Sequence, residues 1–397
     1  MQVIIKEIIN RTDFEPFSCL HLISEIRCGA LKLFEKIEHY FKDYDVFYHC
    51  DLSILFDSFS KRENKKKEFR SNVPTLVLYS NVLIDNVSYN EIMKNIEGIT
   101  SDTVILDKKK KKIGYYFYNF KLSNLEDTGE NNNKIVINTS CVFDYIWELF
   151  DIIDREIDND FVHCVSKKMD IKNELDKNIF ISKTAKIGKG VVFDASLGKI
   201  IIDDNAVIMP LSYIQGPCYI GKNTIINTGA IIYKNCCFGP YCKIGGELET
   251  SIFQGYSNKQ HYGFIGHSFV SEWVNIGAGT SNSDLKNNYS NIVIQLSEKK
   301  IETGKRFIGA MIGDHCKMAI NSSLNTGTII GICSNIAKTG LTEKYIPPFS
   351  WISNKGIEKY ELQKVILTAK VVMNRRNKDI TFEEQELITN CFTNRNI

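Results

Sequence analysis

The sequence predicts an α/β N-terminal domain followed by a left-handed parallel β-helix and a helical C-terminal tail. Counting in sixes from Ile202 gives Ile208, Ile214, Ile220, Ile226, Ile232, Phe238 and Ile244, an unbroken run of large apolar residues. Four residues after successive members come compact ones: Ala206, Ser212, Cys218, Thr224, Ala230, Cys236 and Cys242. Neither a helix nor a strand has this period, whereas a solenoid whose flat faces each consume six residues does. By contrast, residues 1–120 alternate short apolar runs with a helix-compatible stretch, which is α/β texture.

In chain order, Ser24–Tyr40 reads as a helix, and Val46–Tyr48, Leu76–Leu78, Val82–Ile84, Thr103–Leu106 and Ile113–Phe117 read as strands. Lysine runs at Lys65–Lys67 and Lys108–Lys112 lie between them. The second fits a charged hairpin tip or a polyphosphate-binding patch. Glu126–Lys134 reads as a linker, and Val142–Ile157 has the spacing of a connecting helix. The expected domains are 1–125, a connecting segment 126–175, the β-helix 176–350 and the tail 351–397.

Within the β-helix the register lapses near Thr250 and resumes as Phe264, Val270 and Ile276, then again as Ile312, Met318, Leu324, Ile330 and Ile336. The stretches 250–262 and 283–307 therefore read as loops expelled from the prism, where repeat proteins place specificity. Residues Ile357–Arg376 read as a helix, and Thr381 with Glu384 as the capping box of another.

Composition narrows the function classes. A net charge of +2 gives no electrostatic reason to invoke nucleic acid. No apolar run approaches the roughly 18 residues of a spanning helix, and the start MQVIIKEIINRTDFEP is too interrupted by charge for a signal peptide, so the expected location is cytoplasmic, with no membrane partner. Four of the twelve cysteines occupy the compact corner of the hexad and no CxxC pair occurs, so reduced, unligated thiols are expected and no metal site.

Histidine is rare, seven in all. His261 falls among polar residues in the first lapse, and a base working near neutral pH is most simply a histidine, with an unperturbed pKa of about 6.5. His267 flanks the compact corner at Ser268, where a structural role is the alternative. Asn275 would project beside the coil carrying His261, while Gly277 and Gly279 let a ligand or neighbouring chain approach the backbone. The loop Ser281–Tyr289, with Asn282, Lys286, Asn287 and Tyr289, offers amides, a lysine and hydroxyls suited to sugar hydroxyls or a diphosphate.

The segment HYGFIGHSFVSEWVNIGAGTSNSD, from His261, resembles the acetyltransferase motif of GlmU-type proteins, with an ungapped spacing from His261 to Asn275-Ile276-Gly277-Ala278-Gly279-Thr280. It is similar in particular to a shortened GlmU-like branch of sugar nucleotidyltransferases, through GYSNKQHYGFIGHS, FIGAMIGDHCKMAINSSLNTGTIIG and AKVVMNRRN. The resemblance implies acetyl-CoA as acyl donor, an amino-sugar phosphate or nucleotide sugar as partner, and a homotrimer. It implies that His261 is the base, that Asn275 orients the amine, and that Ser322, Asn325 and Thr328 contact acetyl-CoA together with Gly277 and Gly279. Phe264 stands where the family has a tyrosine, and Glu249 where a substrate-binding lysine is expected; Lys259 or Lys286 would compensate. The N-terminal half lacks a Gly-rich GxGTRM-like loop. Its CLHLISEIRCG keeps Glu25, Arg27 and Gly29 of the branch's corresponding segment. Either these residues still bind a nucleotide, with Mg²⁺ required, or the domain is a reduced nucleotidyltransferase kept as a scaffold. The resemblance leaves open acyl transfer, nucleotidyl transfer with the prism as scaffold, and a non-catalytic nucleotide-sugar binder.

Overall fold

The computed structural model describes residues 1–65, 68–126, 133–166, 171–172, 177–297, 299–338 and 340–393. They form two compact units, one from Met1–Arg11, His21–Ile26 and Leu31–Asp144, the other from Thr12–Leu20, Arg27–Ala30 and Tyr145–Ile397. Lys66, Lys67 and most of the Glu126–Lys134 linker lie outside the described residues. Among the described residues no helix is long and apolar enough to cross a membrane.

The first unit is built on a six-stranded sheet of β1 (Gln2–Lys6), β2 (Asp45–His49), β3 (Thr75–Tyr79), β4 (Thr103–Leu106), β5 (Lys112–Phe117) and β6 (Asn133–Val136), in the order β2-β1-β3-β5-β4-β6. β1 runs parallel to both neighbours, and all five of its residues are buried. A parallel strand covered on both faces has no polar alternation, so β1 gave no period to detect. The lysine run at 108–112 is the tip of the β4–β5 hairpin, where Asp107 Oδ1 accepts the N–H groups of Lys109 and Lys111. Helices α1 (Leu33–Tyr40), α2 (Ser53–Glu63) and α3 (Asn86–Ile96) complete the unit.

The helix expected over Ser24–Tyr40 is therefore only its second half. Gly29 adopts φ +87°, a conformation that ends any helix, and the chain before Leu33 is short turns and extended segments. Val82–Ile84 is not a strand either; Val82 makes a single bridge to Val142.

One charged cluster sits inside this unit. Glu25 is fully buried and accepts hydrogen bonds from Arg62 Nε at 3.1 Å and Arg62 Nη2 at 2.9 and 3.0 Å, while His21 Nδ1 lies 3.3 Å away. Burial alone would raise its pKa, but the Arg62 guanidinium and the His21 ring outweigh that and hold the carboxyl well below the usual range.

The second unit is the β-helix. Parallel strands stack into three faces. The first runs from Ile179–Ser182 through Cys236–Phe238 and Phe269–Val270 to Tyr345–Ile346. The second runs from Lys186–Ile187 through Asn258–Lys259 and Asn275–Ile276 to Ser350–Ser353, and the third from Val192–Asp194 to Phe264–Gly266. The inward hexad residues from Ile202 to Ile244 form one continuous core and are fully buried. The outward residues of the first face, including Ile201, Cys237, Ile252, Phe269 and Met311, are buried as well. Helix α4 (Ile153–Asp160) and the segments 12–20 and 27–30 belong to this unit. Phe17 meets Phe269 edge-on at 5.5 Å, and the Arg27 N–H donates to Gln254 Oε1 at 2.7 Å.

The stretch 250–262 is not an expelled loop. Cys236 pairs with Ser251 and Lys243 with Asn258, so the chain completes this coil in 15 residues rather than 18 and keeps its ladder. The coil shortens at the corner Gly245–Gly246. The register then slips by one: Ile265, not Phe264, is the inward residue, and Phe264 faces outward. The stretch 283–307 does leave the prism. Phe269 pairs with Met311, 42 residues on, and the excursion carries a small hairpin of Val293–Gln295 with Lys300–Glu302.

Two smaller expectations change and a third stands. The connecting helix starts as a 3₁₀ turn at Ile146–Asp151 before α4. The tail begins with a strand, Gly356–Lys359, hydrogen-bonded to the last prism strand, and its helix is α5 (Leu362–Asn374). The last helix, α6 (Phe382–Thr393), has the expected capping box: the Thr381 N–H donates to Glu384 Oε2, and the Glu384 N–H to Thr381 Oγ1.

Two outcomes are expected. All three tryptophans, Trp147, Trp273 and Trp351, lie in the second unit, so fluorescence-monitored urea unfolding reports it. Phe253→Ala, which empties a fully buried position, should cost about 3–5 kcal/mol, and Leu197→Ala, at an exposed bend, about 0.5 or less. In the first unit, Arg62→Ala should cost about 3 kcal/mol or more at neutral pH, read from hydrogen exchange of the β1 amides. Because the folded pKa of Glu25 is depressed, its contribution is present above its unfolded value of 4.5 and lost as pH falls below it. The variant should show less of that acid loss.

Candidate functional site

His261 lies at the vertex where the second face turns into the third, between the strands Asn258–Lys259 and Phe264–Gly266. The turn is pinned from within. Asn227 Nδ2 donates to Gln260 O at 2.8 Å, Lys259 Nζ donates to His261 O and, at 2.9 Å, to Tyr262 O, and the Gly279 N–H donates to Tyr262 O at 2.9 Å. With the carbonyls turned inward, the His261 and Tyr262 side chains are left in solvent. Asn275, on the next coil and in register with Asn258, is also exposed. The same vertex carries exposed Met209 and Leu211 three coils below and Ile320 two coils above, a broken apolar ridge that no described residue covers.

Gly277 and Gly279 serve the stacking of coils. A Cβ at Gly277 would lie 2.6 Å from the Ala319 carbonyl, and one at Gly279, φ +74°, 2.0 Å from Asn321 Oδ1. What approaches the backbone there is the following coil of the same chain. The hydroxyls of Ser322 and Thr328 are buried and donate to Ala319 O and Asn325 O, both at 2.9 Å, while Asn325 Oδ1 accepts the Thr326 N–H.

The lysine expected on the surface, Lys259, is inside the prism. It occupies an inward hexad position in register with Ile244, is fully buried, and burial pushes its pKa down to about 8. Asn282 is buried too, exchanging hydrogen bonds with the Gly266 N–H and carbonyl. Lys286 donates to Asn291 O within its own loop, and Asn287 and Tyr289 are exposed.

A cavity of about 720 Å³ opens over the outer side of the third face. Phe264, Glu249, His267 and Asp284 line it from the prism, Arg306 and Phe307 from the returning end of the excursion, and Asp151 and Asp154 from the segment before and within α4. His267 Nδ1 lies 2.8 Å from Asp284 Oδ2, and Phe307 stacks on the ring at 5.2 Å. The backbone holds the pair: the His267 N–H donates to Glu249 O, and the Gly309 and Ile308 N–H groups donate to His267 O and Asp284 O. Gly266 leaves the space this requires, since a Cβ there would sit 2.5 Å from Asp284 Oδ2. Sequence reasoning passed over Asp284, Arg306 and Phe307. Their signal was available: an excursion from a β-helix must leave and re-enter at one corner, so 284 and 307 have to meet.

Glu25, Arg27 and Gly29 are divided between the two units. Glu25 belongs to the cluster of the first unit, whereas Arg27 and Gly29 belong to the second. Arg27 donates to Ala30 O and its ring-side contact is Tyr219 at 5.9 Å, and Gly29 packs against the backbone of Glu156. All three are committed to the protein's own groups.

Comparison with known proteins bears on both halves. Residues 3–168 match the sugar nucleotidyl transferase family, and residues 199–234 the bacterial transferase hexapeptide repeats. A bifunctional sugar-1-phosphate nucleotidylyltransferase/acetyltransferase of Sulfurisphaera tokodaii is 33% identical over 35% of this chain and 35% of its own. Bifunctional GlmU proteins of Methanococcus aeolicus and Wigglesworthia glossinidia brevipalpis are 28% identical over 47% of the chain and 24% identical over 70% of it, covering 45% and 52% of their own lengths. The chain thus spans about a third to a half of the curated relatives it matches. Among solved structures, the polySia specific acetyltransferase NeuO covers 51% of this chain and all of its own, at 12% identity and a TM-score of 0.28, too low to carry an inference. With a match to the sugar nucleotidyl transferase family followed in one chain by hexapeptide repeats, the protein is similar to the bifunctional GlmU proteins.

Proposed function

We propose that this protein is a cytoplasmic transferase of nucleotide-sugar synthesis whose β-helix moves an acetyl group from acetyl-CoA to the amine of an amino-sugar phosphate, with His261 as the general base. The observation that carries the reading is the vertex. An imidazole there is solvent-facing, on a turn whose carbonyls are fixed from within, one coil from the exposed Asn275 amide. In the reaction, His261 takes a proton from the amine as its lone pair forms the N–C bond to the thioester carbonyl. The C–S bond then breaks, and CoA leaves as a thiolate that recovers the proton. Asn275 orients the amine, and a backbone N–H of the facing coil supports the oxyanion.

The acceptor is seated over the third face. Phe264 is three residues from His261, within about 10 Å along an extended chain, and it lines the cavity together with Glu249. The cavity mixes carboxylates with Lys305 and Arg306, which suits a ligand carrying both an ammonium and a phosphate. The uncovered ridge of Met209, Leu211, Tyr262 and Ile320 supports a homotrimer in which a neighbouring prism closes the vertex and completes the acetyl-CoA site.

A second reading, nucleotidyl transfer with the prism as scaffold, is favoured by the family match over residues 3–168. Mg²⁺ belongs to that chemistry, where one or two carboxylates and the substrate phosphates hold it. Among the described residues no three His, Cys, Asp or Glu groups converge to hold an ion unaided.

A CoA-release assay with acetyl-CoA and glucosamine-1-phosphate tests the first reading. His261→Ala should lower kcat by about 10²- to 10⁴-fold, the range of a lost general base. An unchanged rate in the variant sinks the assignment. Pyrophosphate release from a nucleoside triphosphate, insensitive to His261→Ala, would select the second reading instead.

A further inference from the structure

Lys259 is anomalous within the prism. Its inward neighbours before and after, Ile244, Leu248, Phe253 and Ile265, are apolar and fully buried. A lysine in that stack gives up its hydration, and its pKa falls to about 8 in consequence. A solenoid that needed only to stack would place an aliphatic residue here.

What the ammonium does instead is set by its surroundings. It lies above the shortened corner Gly245–Gly246 of the coil below, and the turn 260–263 of its own coil points carbonyls toward it. His261 O and Tyr262 O are its hydrogen-bond acceptors. Room for it comes from Gly246 on the coil below: a Cβ there would lie 3.1 Å from Lys259 Nζ and 2.7 Å from His261 O. The neighbouring carbonyl, Gln260 O, is held by Asn227, so each peptide around His261 has a fixed direction. An ammonium has three donors and can serve several carbonyls from a single buried point, which no apolar residue can do.

We infer that Lys259 is a positioning residue for His261, a buried donor that holds the 260–262 turn so that the imidazole projects from the vertex in one orientation. This rests on the acyl-transfer reading, in which His261 is the base. It acts through the backbone and touches no substrate. Without the donor, His261 O loses its partner and Tyr262 O keeps only the Gly279 N–H, so the turn rotates to bring His261 O to water. A base displaced by about 1 Å loses up to about 10²-fold in rate.

The test is Lys259→Met, which restores an apolar inward residue of similar length. It is assayed for CoA release from acetyl-CoA with glucosamine-1-phosphate beside wild type and His261→Ala, with tryptophan fluorescence confirming the fold. The expected result is a kcat lower by about ten- to a hundredfold, with KM for both substrates within about twofold of wild type. The split itself is a readout that a merely structural role would not move: a displaced base lowers kcat at unchanged KM, whereas a loosened site raises KM. A kcat equal to wild type in Lys259→Met, with His261→Ala inactive, overturns the inference and leaves the acyl-transfer reading standing. Activity retained in His261→Ala overturns the reading itself. Should Lys259→Met not fold, Lys259→Gln, polar but too short to reach both carbonyls, is assayed in its place with the same two outcomes.

Discussion

Everything in the second unit depends on one constraint: each coil has to hydrogen-bond to the coil before it while dropping a large apolar side chain onto the one below. The ladder fixes the spacing between coils, and the core fixes which residue points inward. Departures from the 18-residue coil are absorbed at corners, where neither requirement applies. The chain uses this freedom in both directions. At Gly245–Gly246 it removes residues, leaving room for Lys259 and the inward carbonyls of the turn above, which carries His261. At Asp284–Phe307 it adds them, and the returning end closes a cavity.

The two kinds of departure were unequally legible in the sequence. The hexads from Ile202 to Ile244 stand in the core as counted, because aliphatic residues at a fixed interval have no other packing. The short coil was opaque because a deletion and an expelled loop interrupt a period identically. Lys259 was opaque for a chemical reason: a lysine among Asn258 and Gln260 reads as solvated, and only the inward carbonyls of the next turn make its burial tolerable. Phe264 lost the inward position to Ile265 because the third face has to pair Leu248 with the residue after Phe264.

In the first unit, context overrode local preference. The apolar spacing of Ser24–Tyr40 is helical on paper, yet Glu25 is required by Arg62 and Gly29 takes a left-handed turn, so the helix waits until Leu33. The strand β1 and the helices α2 and α3 left little signal, the first because it is buried on both sides and the others because their apolar faces are narrow. Among site residues, His261 and Asn275 were legible from their spacing. The His267–Asp284 pair was not, since it joins residues that only the geometry of the excursion brings together.

The segments 12–20 and 27–30 have a consequence for how the molecule is made. They precede the β-helix coils in the chain, yet Phe17 rests on Phe269 and Arg27 on Gln254, some 230 to 250 positions downstream. The apolar first face of the β-helix is thus finished by a part of the chain made well before it, which has to stay unsatisfied until those coils exist. Contacts of such sequence separation slow folding and prolong the exposure of apolar surface. The β-helix is therefore not a module that can be released by cutting the gene between the two halves, because part of its covering is encoded ahead of nearly all of the other unit.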